Sequence, residues 1–259
     1  MFRGADVRLL SRDPETGSVT LFVSLEPGWT GTHGEPDGVL ELVVLEGALQ
    51  VDAQAAPASR YVVVPGGLGG VELASPTGAR LVAYWSPDLA AGALGPLAVV
   101  PFRERPWHRT LMPDGLHGVL HRSLRQPDVG EGDLHGGPAG LLRLALLTPG
   151  YFDERAHVHE VWEELVFLSG DLFMDGRGVT APLTYLGNPA GFWHAPMATQ
   201  QGSLILVHTR APVGQVPRDT PGGVDQVEAY LDGASWLERP AHVPIERTPH
   251  LDLVAAASR

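Results

Sequence analysis

The feature that most constrains the fold is an internal repeat, in which two similar units follow each other at an offset of about 123 residues. Four short segments of the first half return in the second half: residues 25–29 in 147–151, 42–49 in 165–172, 65–67 in 189–191, and 81–85 in 204–208. Each unit is a series of short apolar runs separated by Gly, Pro and Asp, which is typical of an all-β sandwich or barrel. The repeat therefore predicts two tandem all-β units.

The repeat also predicts the domain boundaries. We expect a first barrel in residues 1–100 and a second in residues 136–215. Residues 101–135 are irregular and rich in proline, so we expect a linker that packs across both domains and contributes one strand at 119–124. Residues 216–259 form a tail. In it, residues 225–237 have apolar positions at helical spacing and predict one short helix over an open sheet edge.

Composition excludes several classes of protein. The chain has 259 residues, 44% of them apolar and 19% charged, and no apolar run of membrane-spanning length, which is typical of a globular protein without a membrane partner. The net charge is −12, without a basic stripe, so we expect no nucleic acid partner. Cysteine is absent, which excludes disulfides and thiolate metal sites. The N-terminus lacks the apolar core of a signal peptide, so we expect a cytoplasmic protein.

The second unit carries three histidines and a glutamate at spacings that suit one metal ion. His157 and His159 stand at i and i+2, and on a strand such residues point to the same face. Glu163 begins the next apolar run, and His194 follows a Pro-x-Gly turn, so both can converge from other strands. Imidazole and carboxylate without thiolate suit one divalent ion, Fe, Mn, Ni or Zn. Two alternatives remain: Glu164 could replace its neighbour as ligand, or the histidines could align by chance.

These residues resemble the signature motifs of the cupin superfamily, and the duplication makes the chain look like a bicupin. The first motif, Gly-(x)-His-x-His-(x)3-Glu-(x)6-Gly, is matched by Gly150, His157, His159, Glu163 and Gly170. The second motif, Pro-x-Gly-x-x-His, is matched by Pro189, Gly191 and His194. The resemblance implies two tandem double-stranded β-helix (jelly-roll, cupin) barrels. It also implies that the metal ligands are His157, His159, Glu163 and His194.

The second unit is most similar to the cupin domains of zinc-binding anti-sigma factors and of non-haem iron dioxygenases that cleave diketones. Its departures from the motifs concern turns rather than ligands. Six residues instead of five separate Gly150 from His157, and Leu183 and Ala198 stand where a Gly and an Asn are usual.

The first unit does not keep the ligand set. Leu40 replaces the ligand glutamate and Gly70 replaces the histidine of the second motif, while Glu41 matches Glu164 of the second unit. Only His33 remains, with Glu35 as a further candidate. We expect a structural barrel, the alternative being a pocket that binds a ligand without metal.

Four protein ligands around a six-coordinate ion would leave two adjacent positions open for a bidentate substrate, or for substrate and O₂. Phe167 and Trp193 are candidates for an apolar wall of this pocket, although each could be an ordinary core residue. Trp193 is favoured because it directly precedes His194. Glu164 is a further pocket candidate. His208 could take part in proton transfer or orient a ligand, or it could be a simple core histidine.

Two functions are consistent with these motifs. The first is a metal-dependent, dioxygenase-like oxidoreductase that acts on a small diketone, phenolic or organic-acid substrate. The second is a non-catalytic zinc-binding cupin that acts as a sensor or small-molecule binding module. A direct anti-sigma role is disfavoured because the front of the chain is another barrel. Exposed edge strands make a homodimer an expectation as well.

Overall fold

Nearly all regular structure in this protein is β-strand. The computed structural model describes residues 2–109, 119–125, 136–153, 156–194, 196–214 and 216–218. Within these ranges the one helical element is a 3₁₀ turn, Phe102–Glu104, and no helix is long and apolar enough to span a membrane. The all-β prediction is therefore confirmed, whereas the helix predicted at 225–237 lies outside the described residues. The chain divides into two compact units, and each is described by itself.

The described part of the first unit covers residues 2–105 and 124–125. Its strands are β1 (Asp6–Arg12), β2 (Val19–Leu25), β3 (Trp29–His33), β4 (Val39–Val51), β5 (Gln54–Pro57), β6 (Arg60–Pro65), β7 (Val71–Ser75), β8 (Ala79–Ser86) and β9 (Ala98–Pro101). They pair in the antiparallel order β1-β2-β8-β4-β6-β9, and β3, β5 and β7 extend the pairing from the far half of β4. Leu40, Leu42 and Val44 alternate along β4 and project into the apolar core of this barrel.

The described part of the second unit covers 106–109, 119–123 and the described residues from 136 onward. Its strands are β10 (His108–Arg109), β11 (Val119–Ser123), β12 (Leu142–Leu147), β13 (Phe152–Asp153), β14 (Ala156–Val158), β15 (Glu163–Gly170), β16 (Leu172–Met174), β17 (Gly178–Thr180), β18 (Tyr185–Asn188), β19 (Trp193–His194), β20 (Met197–Ala198), β21 (Ser203–Thr209) and β22 (Val216–Arg218).

The strands of the second unit form three antiparallel sheets. Their orders are β10-β11-β12-β21-β15-β18, β13-β20-β16-β17 and β19-β14-β22. The apolar core takes Leu165 and Phe167 from the first sheet and Met174 and Met197 from the second. The face of β15 that carries Leu165 and Phe167 is therefore the inner face of the barrel, because side chains alternate along a strand.

The segment predicted to be a linker is divided between the two units. It supplies β10 and β11 to the largest sheet of the second unit, whereas residues 124–125 belong to the first unit. A buried charge cluster holds Arg125 in the first unit: its Nε and Nη2 donate to the two carboxylate oxygens of Glu41 at 2.8 and 2.7 Å. The Tyr61 hydroxyl donates to the same carboxylate at 2.7 Å. Burial, and then the Glu41 charge, raises the pKa of Tyr61 well above its usual value.

The internal repeat is visible in matching irregularities of the two barrels. Strand β4 has a bulge between Val44 and Glu46, and β15 has one at the equivalent place. Each bulge leads to a glycine with positive φ, Gly47 at 71° and Gly170 at 79°. A Cβ at Gly170 would collide with the carbonyl oxygen of Gly202, and a Cβ at Gly47 would collide with that of Gly78. These positions require glycine for both conformation and space.

The structure corrects the last segment of the predicted repeat by one residue. Leu42 pairs with Ala83 in the first barrel, and the equivalent Leu165 pairs with Val207 in the second. Val207 is therefore equivalent to Ala83, whereas the sequence match had assigned it to Tyr84. Both faces of these strands are buried, so the sequence has no polar alternation that would fix the register.

We predict that Gly170→Ala lowers the free energy of unfolding by about 2–4 kcal/mol, because it adds a steric collision to the cost of a left-handed backbone. Denaturant unfolding followed by circular dichroism measures this. Gly176→Ala is the matched control, because its φ is 71° but a Cβ there meets nothing within 4 Å. Its expected cost is about 1 kcal/mol. Equal costs for the two variants would contradict the collision.

Candidate metal centre

His159 is the best-defined of the predicted ligands. It follows β14, is 7% exposed, and its Nδ1 lies 2.8 Å from the carbonyl oxygen of Gly214. A carbonyl can only accept a hydrogen bond, so Nδ1 carries the hydrogen and Nε2 of the neutral ring keeps its lone pair. Nε2 is directed toward Glu163, with 3.7 Å between Nε2 and Oε1. This is the arrangement in which a histidine presents Nε2 to a metal ion.

Glu163 begins β15 on the inner face of the barrel and is 8% exposed. Its Oε2 accepts a hydrogen bond of 3.1 Å from Nδ2 of Asn188, its partner across the β15–β18 pairing. Oε1 is the atom that approaches His159. The 3.7 Å separation is too long for a hydrogen bond, but it is close to the roughly 3.0–3.6 Å between two donors that each lie about 2.1 Å from one ion.

His157 and His194 are brought together by backbone pairing. Strand β14 pairs with β19 so that these two residues are directly opposite each other. The turn of the second motif is joined to the same region, because the Gly191 amide donates to the carbonyl oxygen of His159 at 2.8 Å. The side chains of His157 and His194 lie outside the described residues. Among the described side chains no group of three or more His, Asp or Glu forms a metal site, so the four-ligand set stays a prediction.

Glu164 and His208, which the sequence analysis named as pocket candidates, lie on the opposite face of the sheet from Glu163. They pair across β15 and β21 on the face opposite Glu163, because neighbouring residues of a strand alternate. Nδ1 of His208 lies 2.8 Å from Oε2 of Glu164, and the Tyr185 hydroxyl donates to Oε1 at 2.8 Å. Both Glu164 and His208 are fully buried outside the barrel core. A metal ion bound by both His159 and Glu163 would lie on the inner face, and Glu164 is oriented to the opposite face.

The two aromatic candidates have different positions. Phe167 is 1% exposed and belongs to the core on the same face as Glu163. Trp193 is 37% exposed, and its neighbour Phe192 is 40% exposed with the Arg177 guanidinium stacked 4.5 Å from its ring centre. Trp193 therefore does not form a buried wall.

The sequence motifs missed one residue that contacts the candidate site. Asn188 is 1% exposed and orients Glu163. In the first barrel Leu40 occupies the position of Glu163, and it pairs with Val64. A polar side chain at the end of the apolar strand β18, directly before the second motif, was the available signal. Only the pairing of Asn188 with Glu163 shows that this side chain orients a candidate ligand.

The first barrel fills the corresponding region with apolar side chains. His33 is 3% exposed, and its ring packs edge-on against Trp85 with 5.2 Å between ring centres. Burial lowers the pKa of His33. Leu40 is fully buried and Glu35 is exposed, so His33 and Glu35 do not form a site. The expectation of a structural first barrel is consistent with this packing.

Comparison with solved structures identifies the fold. A candidate dioxygenase from Nostoc punctiforme PCC 73102 matches with a TM-score of 0.65 and 18% identity over 85% of this chain and 78% of that one. A cupin 2 conserved barrel domain protein from Leptotrichia buccalis matches with a TM-score of 0.55 and 11% identity, over 80% of this chain and 89% of that one. A pirin from Escherichia coli in complex with nickel(II) matches with a TM-score of 0.54 and 16% identity, over 81% of this chain and 93% of that one. No protein-family model and no curated protein matches the chain.

One of the matched structures is named as a conserved barrel domain, and the matches cover 80–85% of this chain and therefore run through both of its units. The chain therefore has the fold of these structures, two tandem barrels, which is the fold that the resemblance stated from the motifs implied.

The adjacent glutamates allow a direct test of the ligand assignment. We predict that Glu163→Gln weakens metal binding tenfold or more, roughly the loss expected when a charged ligand becomes neutral. Glu164→Gln is the matched control, because it neutralises the residue on the opposite face, and its metal affinity should change by less than about threefold. Competition with a chromophoric chelator measures both affinities. A larger effect of Glu164→Gln would identify Glu164 as the ligand.

The contact between Asn188 and Glu163 gives a second prediction. Asn188→Val copies the first barrel, where Val64 occupies this position. We expect the metal affinity to fall about 10- to 100-fold because Glu163 loses its orienting hydrogen bond. The protein should remain folded, since the first barrel tolerates valine here. The same chelator competition, with circular dichroism as the folding control, checks the prediction, and an unchanged affinity would contradict it.

Proposed function

We propose that this protein is a metal-dependent cupin oxidoreductase of the dioxygenase type, with its active site in the second barrel. One divalent ion would be held by His157, His159, Glu163 and His194. The substrate would be a small diketone, phenolic compound or organic acid. The observation that carries the proposal is the buried pair of Nε2 of His159 and Oε1 of Glu163, 3.7 Å apart.

This pair fits a cation. A buried imidazole lone pair and a buried carboxylate oxygen directed at each other are both electron donors, and a cation between them would compensate the burial of both. Gly214 and Asn188 hold the two groups in this orientation. When bound, a divalent ion supplies Lewis-acid and, for iron or manganese, O₂ chemistry at this position.

The remaining role of the protein is to shape the site around the bound substrate. The apolar inner face of the second barrel, which includes Leu165, Phe167 and Val207, excludes water from a bound organic substrate. Exclusion of water strengthens the electrostatic interactions of the ligands and protects reactive intermediates.

The comparisons support this proposal at the level of the fold. Among the matched proteins, one is named as a candidate dioxygenase and one was solved with nickel(II). At 18% identity and below such likeness shows the fold alone, so the reaction type rests on the donor set.

Elemental mass spectrometry on protein purified without chelators or an affinity metal is the test. We expect about one equivalent of iron, manganese or nickel per chain, because only the second barrel keeps the ligand residues. Oxygen uptake is then measured with a panel of β-diketones, phenols and phenolic acids. His159→Asn should abolish both metal retention and uptake.

Other outcomes separate the alternatives. One equivalent of zinc without turnover of any panel member would favour a non-catalytic sensor or binding module. Absence of metal even after reconstitution would refute the four-ligand site itself.

A further inference from the structure

Strand β1 is an edge of the large sheet in the first unit. Among the strands that the structure describes it pairs only with β2, and the four side chains from Asp6 to Leu9 are all exposed. An edge strand presents a row of backbone N–H and C=O groups with which another strand can pair. β1 is therefore a surface at which a further strand can be added to this sheet.

One face of β1 is apolar. Val7 lies opposite Val23 of β2, and Leu9 lies opposite Leu21. Residues directly opposite each other on antiparallel strands share a face. Val23 belongs to the core of the first barrel and Leu21 packs against it, so Val7 and Leu9 continue the inner face of the barrel toward the edge. They are 39% and 57% exposed, and a partner strand that covers them would bury apolar surface.

The other face of β1 carries two opposite charges. Asp6 and Arg8 lie on the outer face, because side chains alternate along a strand, and only Val7 separates them. A two-fold axis at the centre of an antiparallel strand pair exchanges the residues on either side of the central one. With the axis at Val7, Asp6 of each copy lies opposite Arg8 of the other copy. The outer face then forms two opposite-charge pairs, and on the inner face Val7 meets its own copy.

The neighbouring registers of such a pair are less favourable. An axis at Asp6 or at Arg8 would place two like charges directly opposite each other, which is destabilising. An axis at Leu9 would extend the pairing across the bulge between Leu9 and Ser11, where the alternation of the two faces is interrupted. The register centred on Val7 is therefore the self-complementary one, and its charge pattern fits a second copy of this chain.

We propose that β1 pairs with β1 of a second copy, antiparallel and centred on Val7, and that the protein forms a homodimer through this continuous sheet. The interface goes beyond the proposed function and does not depend on the metal centre. In such strand pairing, main-chain hydrogen bonds supply the affinity and the facing side chains supply the specificity. Because the paired segment is short, we expect a dissociation constant on the order of 1–100 μM.

Because the chain contains no cysteine, single introduced thiols test the register directly. In Val7→Cys the two thiols would lie directly opposite each other, with about 4.5–5.5 Å between the Cα atoms, a separation that suits a disulfide. Mild oxidation should therefore convert most of this variant to a covalent dimer, which gel electrophoresis without reductant measures.

Two exposed positions provide matched controls for the disulfide. Leu9→Cys lies on the same face of β1 and at a more exposed position. Its two copies would be roughly 13 Å apart, four residues at about 3.3 Å each, which is too far for a disulfide. Val179 is 57% exposed on β17, an edge strand of the second unit. Neither Leu9→Cys nor Val179→Cys should form a covalent dimer under the same conditions.

Charge exchange tests the two outer pairs, with sedimentation velocity as the measurement of dimerisation. Asp6→Arg should weaken the dimer about tenfold, because two attractive pairs become two like-charge pairs. The double variant Asp6→Arg/Arg8→Asp should return the dissociation constant to within about threefold of the wild-type value, since it forms the same pairs in reverse order. Val7→Lys should abolish dimerisation, because it places a charge in the apolar contact. All three positions are exposed, and circular dichroism serves as the folding control.

Three results would overturn the proposal. The first is a wild-type protein that stays monomeric up to about 200 μM, above the range expected for an interface of this size. The second is a dimer that Val7→Lys leaves intact, because such a dimer would use another surface. The third is a covalent dimer in Leu9→Cys but not in Val7→Cys, because it would exclude the register centred on Val7. Disulfide formation in Val7→Cys alone, with recovery in the charge-exchange variant, supports it.

Discussion

The two-residue period of strand β15 decides the chemistry of the second barrel. It directs Glu163 to the inner face, where it meets His159, and Glu164 to the outer face, where it meets His208 and Tyr185. A shift of one residue would exchange these environments. The bulge at residues 167–169 and the glycine at 170 hold the register, because the close approach of Gly170 to Gly202 admits no side chain. The candidate site thus depends on a backbone contact at the other end of the strand.

The duplicated barrel shows which residues belong to the fold and which belong to the site. Four polar positions of the second barrel are replaced in the first by apolar residues or glycine: Glu163 by Leu40, Asn188 by Val64, Thr209 by Trp85, and Asp153 by Gly31. Both barrels nevertheless keep the same pairing of their central strands, β2-β8-β4-β6 and β12-β21-β15-β18, and the same bulge and turn glycine. Polar groups inside an apolar barrel are unfavourable for folding. Their presence in one copy supports the metal site proposed for the second barrel.

Both barrels also bury a glutamate on the outer face of the equivalent strand. Glu41 is paired with Arg125 and Tyr61, and Glu164 with His208 and Tyr185. Buried charges persist when hydrogen bonds compensate their desolvation. Each cluster joins residues that are far apart in sequence, and the one around Glu41 holds Arg125 in the first unit. In the second barrel, Glu164 belongs to such a cluster on the outer face, whereas its neighbour Glu163 approaches His159 on the inner face. Two adjacent glutamates thus lie in different environments.

The sequence by itself determined the all-β class, the duplication and the candidate ligands, because these follow from local signals: short apolar runs, turn glycines, and histidines two residues apart. Tertiary structure decided which glutamate faces the interior and where the last strand aligns, and it alone revealed Asn188. Strands β15 and β21 are buried on both faces, so their sequences lack the alternation that would reveal register. Asn188 contacts Glu163 only because β18 pairs with β15, a strand some twenty residues earlier in the sequence, so the contact could not be predicted from either strand alone.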